Sequence, residues 1–192
     1  MPDMQAARGT SLTDESAEVA DVPGRRRYLG LFAFVAAVLY VADQVTKNLA
    51  VEHLTGQPDK PLVGELLQLH LTRNAGAAFS TGTAFTEVLT CVAIAAVGVI
   101  LWLSRRVGSR LWAVALGVLL AGVAGNLSDR LFRAPGPLEG HVVDFLMLPH
   151  WPIFNIADMC INVAAGLILV QAFRGVRLDG TRAVRAGRGE QS

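Results

Sequence analysis

The chain has 192 residues, 52% of them hydrophobic and only 17% charged, with a mean hydropathy of +0.42 and a formal net charge of +1. Soluble domains carry about 25% charged residues, and here the charges gather at the ends: residues 1–27 hold 9 of the 33, residues 174–192 hold 7, and the 146 between carry 17. A soluble enzyme core, a nucleic-acid binder with a basic face and a disordered regulator are all excluded, and a membrane protein remains.

A bilayer core takes about 20 mostly apolar helical residues. Four stretches reach that length: Tyr28 to Ala50, Ala84 to Leu103, Leu111 to Phe132 and Phe154 to Phe173. The expected fold is an all-α membrane protein, a four-transmembrane-helix bundle occupying residues 28–173. The polar tails 1–27 and 174–192 are expected to be disordered in the cytoplasm. Three arginines precede the first stretch, as in a leader, but Tyr40 stands where a cut after Ala42 needs a small residue, so the stretch reads as a retained span. In the connection 51–83, Leu67-Gln68-Leu69-His70-Leu71-Thr72 alternates with the period of a half-buried strand. Pro58, Pro61 and Gly64 supply turns before it, so a small extracytoplasmic sheet, a cradle, is expected between the first two helices. Cys91 and Cys160 fall inside spans and read as packing residues rather than a disulfide.

Orientation follows the arginines. Arg25, Arg26 and Arg27 precede the first span, Arg105, Arg106 and Arg110 fill the second connection, and Arg174 and Arg177 follow the fourth. The segments 51–83 and 133–153 hold only Lys60, Arg73 and Arg133. Both termini are therefore expected in the cytoplasm and both longer connections outside.

Ionisable groups inside spans are costly and mark sites by default. Asp43 and Lys47 lie one turn apart in the first span. Taken alone they could be an interfacial ion pair with Lys47 snorkelling. Asn126, Asp129 and Arg130 form one stripe at the end of the third span, with Gly122 and Gly125 allowing a close helix approach there. Asn155, Asp158 and Asn162 form a stripe opening the fourth, where Asp158 could serve only as a helix cap. Asp144 sits among apolar neighbours just before it. With the orientation above, all these groups fall in one outer layer. Separate structural explanations would not require that convergence.

Four carboxylates, an arginine, a lysine and several amides in one layer suit water activation between two acids. Carboxylates that share a site cannot both ionise easily, so one keeps its proton. The ionised partner takes a proton from water while the protonated one polarises a carbonyl. Ser80 and Ser128 lack a neighbouring base. His141 and His150 lie near the aspartates, but no His-Glu-x-x-His helix exists, so no metal and no cofactor are expected. A proton-coupled carrier is the competing class, and it would spread its acidic groups through the bilayer depth.

Five motif blocks resemble, in order, those of the bacterial lipoprotein signal peptidases (signal peptidase II). They are Asp43-Gln44-Val45-Thr46-Lys47, Asn74-Ala75-Gly76-Ala77-Ala78-Phe79, Gly122 to Arg130, Val142-Val143-Asp144-Phe145 and Phe154-Asn155-Ile156-Ala157-Asp158. The resemblance implies a membrane aspartic endopeptidase with Asp144 and Asp158 as catalytic pair. Its substrates would be diacylglyceryl-modified prolipoproteins, cut on the N-terminal side of the lipidated Cys to release the signal peptide. It further implies a bacterial inner-membrane location, a site near the outer leaflet among membrane lipid, and binding of globomycin-type inhibitors. A monomer is expected. Asn74, Asn126, Arg130 and Asn155 are expected to orient the pair, bind substrate or stabilise the oxyanion. Asp129 is expected to partner Arg130 structurally, so that Arg130→Ala would cost both folding yield and rate. Asp43 and Lys47 are expected to be architectural. The chain departs from the family at Ala121, where a first glycine is usual, and in the 13 residues between Asp144 and Asp158. The 27-residue tail lies outside the resemblance.

Overall fold

The computed structural model describes residues 23–76 and 83–182. The expectation of disorder for residues 1–22 and 183–192 lies outside the described residues, as does the Ala77-Ala78-Phe79 end of the second motif block.

Among the described residues, four helices are long and apolar enough to cross a membrane: α1 (Pro23–Leu54), α2 (Thr83–Ser104), α3 (Arg110–Phe132) and α4 (Ile156–Phe173). With a rise of about 1.5 Å per residue, the 32 residues of α1 outreach a bilayer core. Residues 23–27, read from the sequence as tail, are its first turns. Ser109 caps α3 by accepting from the Trp112 N–H at 3.3 Å. The lipid-facing side of α1 carries Phe34, Val38, Val41, Val45 and Leu49, each 49–67% exposed. Such exposure would be costly in water and is ordinary in hydrocarbon.

Helix α3 is the centre of the bundle and packs against the other three. Glycines make this possible at two points. A Cβ on Gly122 would come within 2.5 Å of the Ala157 carbonyl oxygen, and one on Gly125 within 2.5 Å of Asp43 Oδ2. Ala121, at the departure from the family pattern, is 1% exposed, so its methyl is absorbed by the packing.

At one end of the bundle lies a three-stranded antiparallel sheet of β1 (Lys60–Val63), β2 (Leu67–Asn74) and β3 (Val142–Met147), in that order. The expected sheet is present between α1 and α2, but its third strand comes from the connection between α3 and α4. That strand was hard to see because it does not alternate: Val142 to Leu146 are all buried, and a strand covered on both faces reads as one apolar run. Phe154 pairs with Leu146 in an isolated bridge, which returns the chain to β3 just before α4 starts.

At the other end, residues 174–182 are folded, correcting the expectation of a tail there. Leu178 packs against a core of Phe32, Ile100, Val107, Ala113 and Leu116. The Trp112 indole donates to the Val176 carbonyl at 3.1 Å, and the Gly108 N–H to that of Leu178 at 2.9 Å. Polar, arginine-rich composition hid one leucine anchor and a tight backbone approach at Gly108, where any Cβ would overlap the Asp179 carbonyl.

Candidate active site

Asp144 is placed by the sheet. Asn74 on β2 pairs with Val142 on β3, so Asn74 and Asp144 are diagonal neighbours on one face. Asn74 donates from Nδ2 to Asp144 Oδ2 at 3.0 Å. Its own Oδ1 accepts from the Gly76 N–H at 2.8 Å, a turn that needs the positive φ of +99° at Gly76. The amide is thereby fixed with its nitrogen toward the carboxylate.

Asp158 is placed by a helix cap. Asn155, fully buried, accepts from the Asp158 N–H at 2.9 Å, while Asp158 Oδ2 accepts from the Asn155 N–H at 3.2 Å. This reciprocal capping box holds the aspartate at the start of α4. The cap reading of Asp158 is therefore correct as geometry, yet it leaves Oδ1 for another partner: Asn126 Nδ2 donates to it at 2.8 Å.

Asn155 also joins the two carboxylates. Its Nδ2 donates to Asp144 Oδ1 at 2.6 Å and its backbone N–H to Asp158 Oδ2. Every carboxylate oxygen of the pair thus accepts one N–H, from Asn155, Asn74 and Asn126, and each keeps a lone pair for a proton or a water. Asp144 is 2% exposed. Burial pushes its carboxyl up to about 6, and the charge of Asp158 adds to that rise. The Asn74 and Asn155 hydrogen bonds and the Lys47 charge oppose it.

Behind the pair lies a closed charge network. Lys47 does not snorkel: it is 0% exposed, and its Nζ meets Asp43 Oδ2, Asp129 Oδ2 and Asn126 Oδ1, each at 2.9 Å. Asp43 Oδ1 accepts from the Ala157 N–H at 2.9 Å, tying α1 to the first turn of α4. Asp129 does not pair with Arg130. Its Oδ1 takes Arg133 Nε at 2.5 Å, and its Oδ2 takes Lys47 and the Val143 N–H. The reason is direction: position 133 lies one turn below Asp129 on the same face, whereas adjacent positions on a helix diverge. Arg133 was missed as a site-layer residue, although that spacing signals it, and it also donates to Asn48 at 2.8 Å.

Arg130 lies within electrostatic reach of Asp144, Asp129 and Asp158. Its Nη1 is buried and has no hydrogen-bond partner among the described residues. Asn162 donates to the Asp158 carbonyl at 2.9 Å and takes no part in the layer. Ser128 shares a hydrogen bond with the Tyr40 hydroxyl at 2.9 Å; Ser80 lies outside the described residues. The arrangement can hold one proton between buried Asp144 and half-buried Asp158 beside an unmet cationic donor, which is the equipment for adding water to a carbonyl.

The family model described as signal peptidase (SPase) II matches residues 35–174. The chain is 49% identical over 160 residues to a protein of Mycobacterium avium (strain 104) named lipoprotein signal peptidase, covering 83% of this chain and 86% of that one. It is 42% identical over 180 residues to a protein of the same name from Streptomyces griseus subsp. griseus, covering 94% and 91%. Among solved structures it resembles a bacterial membrane enzyme determined in meso at 1.9 Å resolution, with a TM-score of 0.68 and 25% identity over 76% of this chain and 94% of that one.

Proposed function

The chain belongs to the signal peptidase II family of lipoprotein signal peptidases, and from that premise we propose that it is an aspartic endopeptidase whose catalytic pair is Asp144 and Asp158. The observation that carries the reading is Asn155, one buried residue that donates to both carboxylates. Asp144 begins protonated and Asp158 charged. Water attacks the scissile carbonyl, giving its proton to Asp158, while Asp144 passes its proton to the carbonyl oxygen. The tetrahedral diol then collapses: Asp158 protonates the leaving nitrogen, and a diol hydroxyl returns a proton to Asp144. Arg130 Nη1 donates to the oxygen as negative charge grows on it.

The substrate is a diacylglyceryl-modified prolipoprotein, cut on the N-terminal side of the lipidated Cys. Both termini face the cytoplasm and the polar layer faces the outer leaflet of the bacterial inner membrane. Supporting this, Arg105, Arg106 and Arg110 lie at the end of the bundle away from the sheet. The lipid chains stay in the bilayer while the bond to be cut enters the polar layer beside them.

The test is cleavage of a lipidated precursor in detergent by Asp144→Asn and Asp158→Asn, each beside a thermal melt. A positioned acid or base contributes about 10²–10⁴-fold, so both variants should melt normally and lose at least the lower figure. A folded variant of either that keeps more than about a tenth of wild-type turnover, far above that loss, removes its aspartate from the pair.

A further inference from the structure

The hydrogen bond to Asp158 Oδ1 comes from an amide whose own orientation is set elsewhere. Asn126 Nδ2 donates to that oxygen at 2.8 Å, while Asn126 Oδ1 accepts from Lys47 Nζ at 2.9 Å and from Asn155 Nδ2 at 3.1 Å. Turned over, the amide would set its NH₂ against an ammonium and another NH₂, and its oxygen against a carboxylate. Both ends would lose their partners. Lys47 has three N–H donors, and Asp43, Asp129 and Asn126 take them all. Joining α1 to α3 needs only the bond to Asp129. The bond to Asn126 adds nothing to that purpose, but it leads through one amide to the reacting pair.

We propose that Lys47 is a positioning residue for hydrolysis: its ammonium holds the Asn126 amide with the nitrogen toward Asp158, favouring the charged carboxylate that accepts the proton of water. The proposal rests on the dyad reading above. The ionisable and charged groups of this layer are Asp43 and Lys47 from α1, Asp129, Arg130 and Arg133 from α3, Asp144 from β3, and Asp158 itself with Cys160, which lies within reach of the Asp43 charge, from α4. Among them, Lys47 alone bonds to Asn126 Oδ1 as a cation.

The experiment is the pH profile of kcat/KM on a lipidated precursor in detergent, with a thermal melt of each variant, for Lys47→Met, Asn126→Ala and the double variant. A weaker hold on charged Asp158 moves the acid limb to higher pH. Lys47→Met should move it by about one unit, which is a tenfold loss on the acid side. Asn126→Ala should do at least as much. In the Asn126→Ala background Lys47→Met should move the limb no further, because the route is already cut. Lys47→Met combined with Asp43→Asn removes one charge of each sign, and it takes the place of Lys47→Met if that variant does not fold. A uniform loss across pH with the limb unmoved overturns the proposal, as does a full second shift in the Asn126→Ala background. If neither lysine variant folds, Lys47 is structural and the proposal falls. Asp158→Asn is run in parallel: turnover in that variant sinks the dyad reading, while its inactivity beside an unmoved limb sinks only the role of Lys47.

Discussion

The carboxylate of Asp129 accepts a hydrogen bond from the backbone N–H of Val143 at 3.1 Å. The last turn of α3 thereby grips β3 at the residue next to Asp144. The same carboxylate takes Lys47 and Arg133, so it joins α1, α3 and the strand that carries half of the proposed pair. Removing one partner of a buried ion pair costs about 3–5 kcal/mol. Asp129→Ala should lower the melting temperature by the equivalent of that loss, and the folded remainder should turn over slowly because β3 is no longer held. A variant that melts like the wild type and still loses turnover would make Asp129 a participant in the chemistry.

The proton on Asp144 has a direction to test. Its carboxyl is pushed up to about 6 by burial, and an acid must be protonated to act. The protonated fraction falls as pH rises through that value, so kcat/KM, which reports the free enzyme, should decline on the alkaline side with a midpoint of about 6. Steady-state cleavage across the pH range measures it. A rate that instead rises through the same midpoint to a plateau would make Asp144 the base and Asp158 the acid.

Much of this was legible because the spans are apolar enough to make each polar residue conspicuous. Asp43, Asn126, Asp129 and Asp158 stand out against their neighbours, and the helix period groups them. Their pairings were not legible. Lys47 looked free to snorkel because its second anion, Asp129, is 82 residues further along the chain, and only the packing of α1 on α3 brings them together. Adjacent letters suggested Asp129 with Arg130, whereas helix geometry pairs Asp129 with Arg133 one turn on. The third strand lacked alternation because both its faces are covered. In residues 174–182, one leucine anchor and the close backbone approach at Gly108 outweigh a polar composition.

The orientation can be checked by labelling with a membrane-impermeant maleimide after Cys91 and Cys160 are replaced. Lys60 on β1 and Arg106 after α2 are both exposed, at opposite ends of the bundle. Lys60→Cys should label in intact cells and Arg106→Cys only after permeabilisation. Gly108 is unsuitable for this purpose, since any side chain there would collide with the Asp179 carbonyl. The reverse pattern would turn the molecule over and put the polar layer in the cytoplasm.

Arg130 offers the sharpest separation of stability from rate. A buried donor left without a partner costs stability, and such groups in native structures call for an explanation. Nη1 of Arg130 is that kind of group among the described residues, and it belongs to a side chain within electrostatic reach of Asp144, Asp129 and Asp158. An oxygen that becomes negative only during the reaction would satisfy it, and the resting protein would bear the cost of its absence. Since Asp129 is engaged by Lys47 and Arg133, Arg130 is not needed to neutralise it, and the joint loss of folding and rate expected from the sequence should not occur. Arg130→Gln should keep the wild-type melt, or exceed it, and leave KM nearly unchanged. Its kcat should fall by about 10²–10³-fold, the usual effect of removing one oxyanion donor. Precursor cleavage as a function of substrate concentration, beside a melt in the same detergent, separates these quantities. A melt that falls with kcat would make Arg130 part of the scaffold, and a raised KM at constant kcat would assign it to substrate binding.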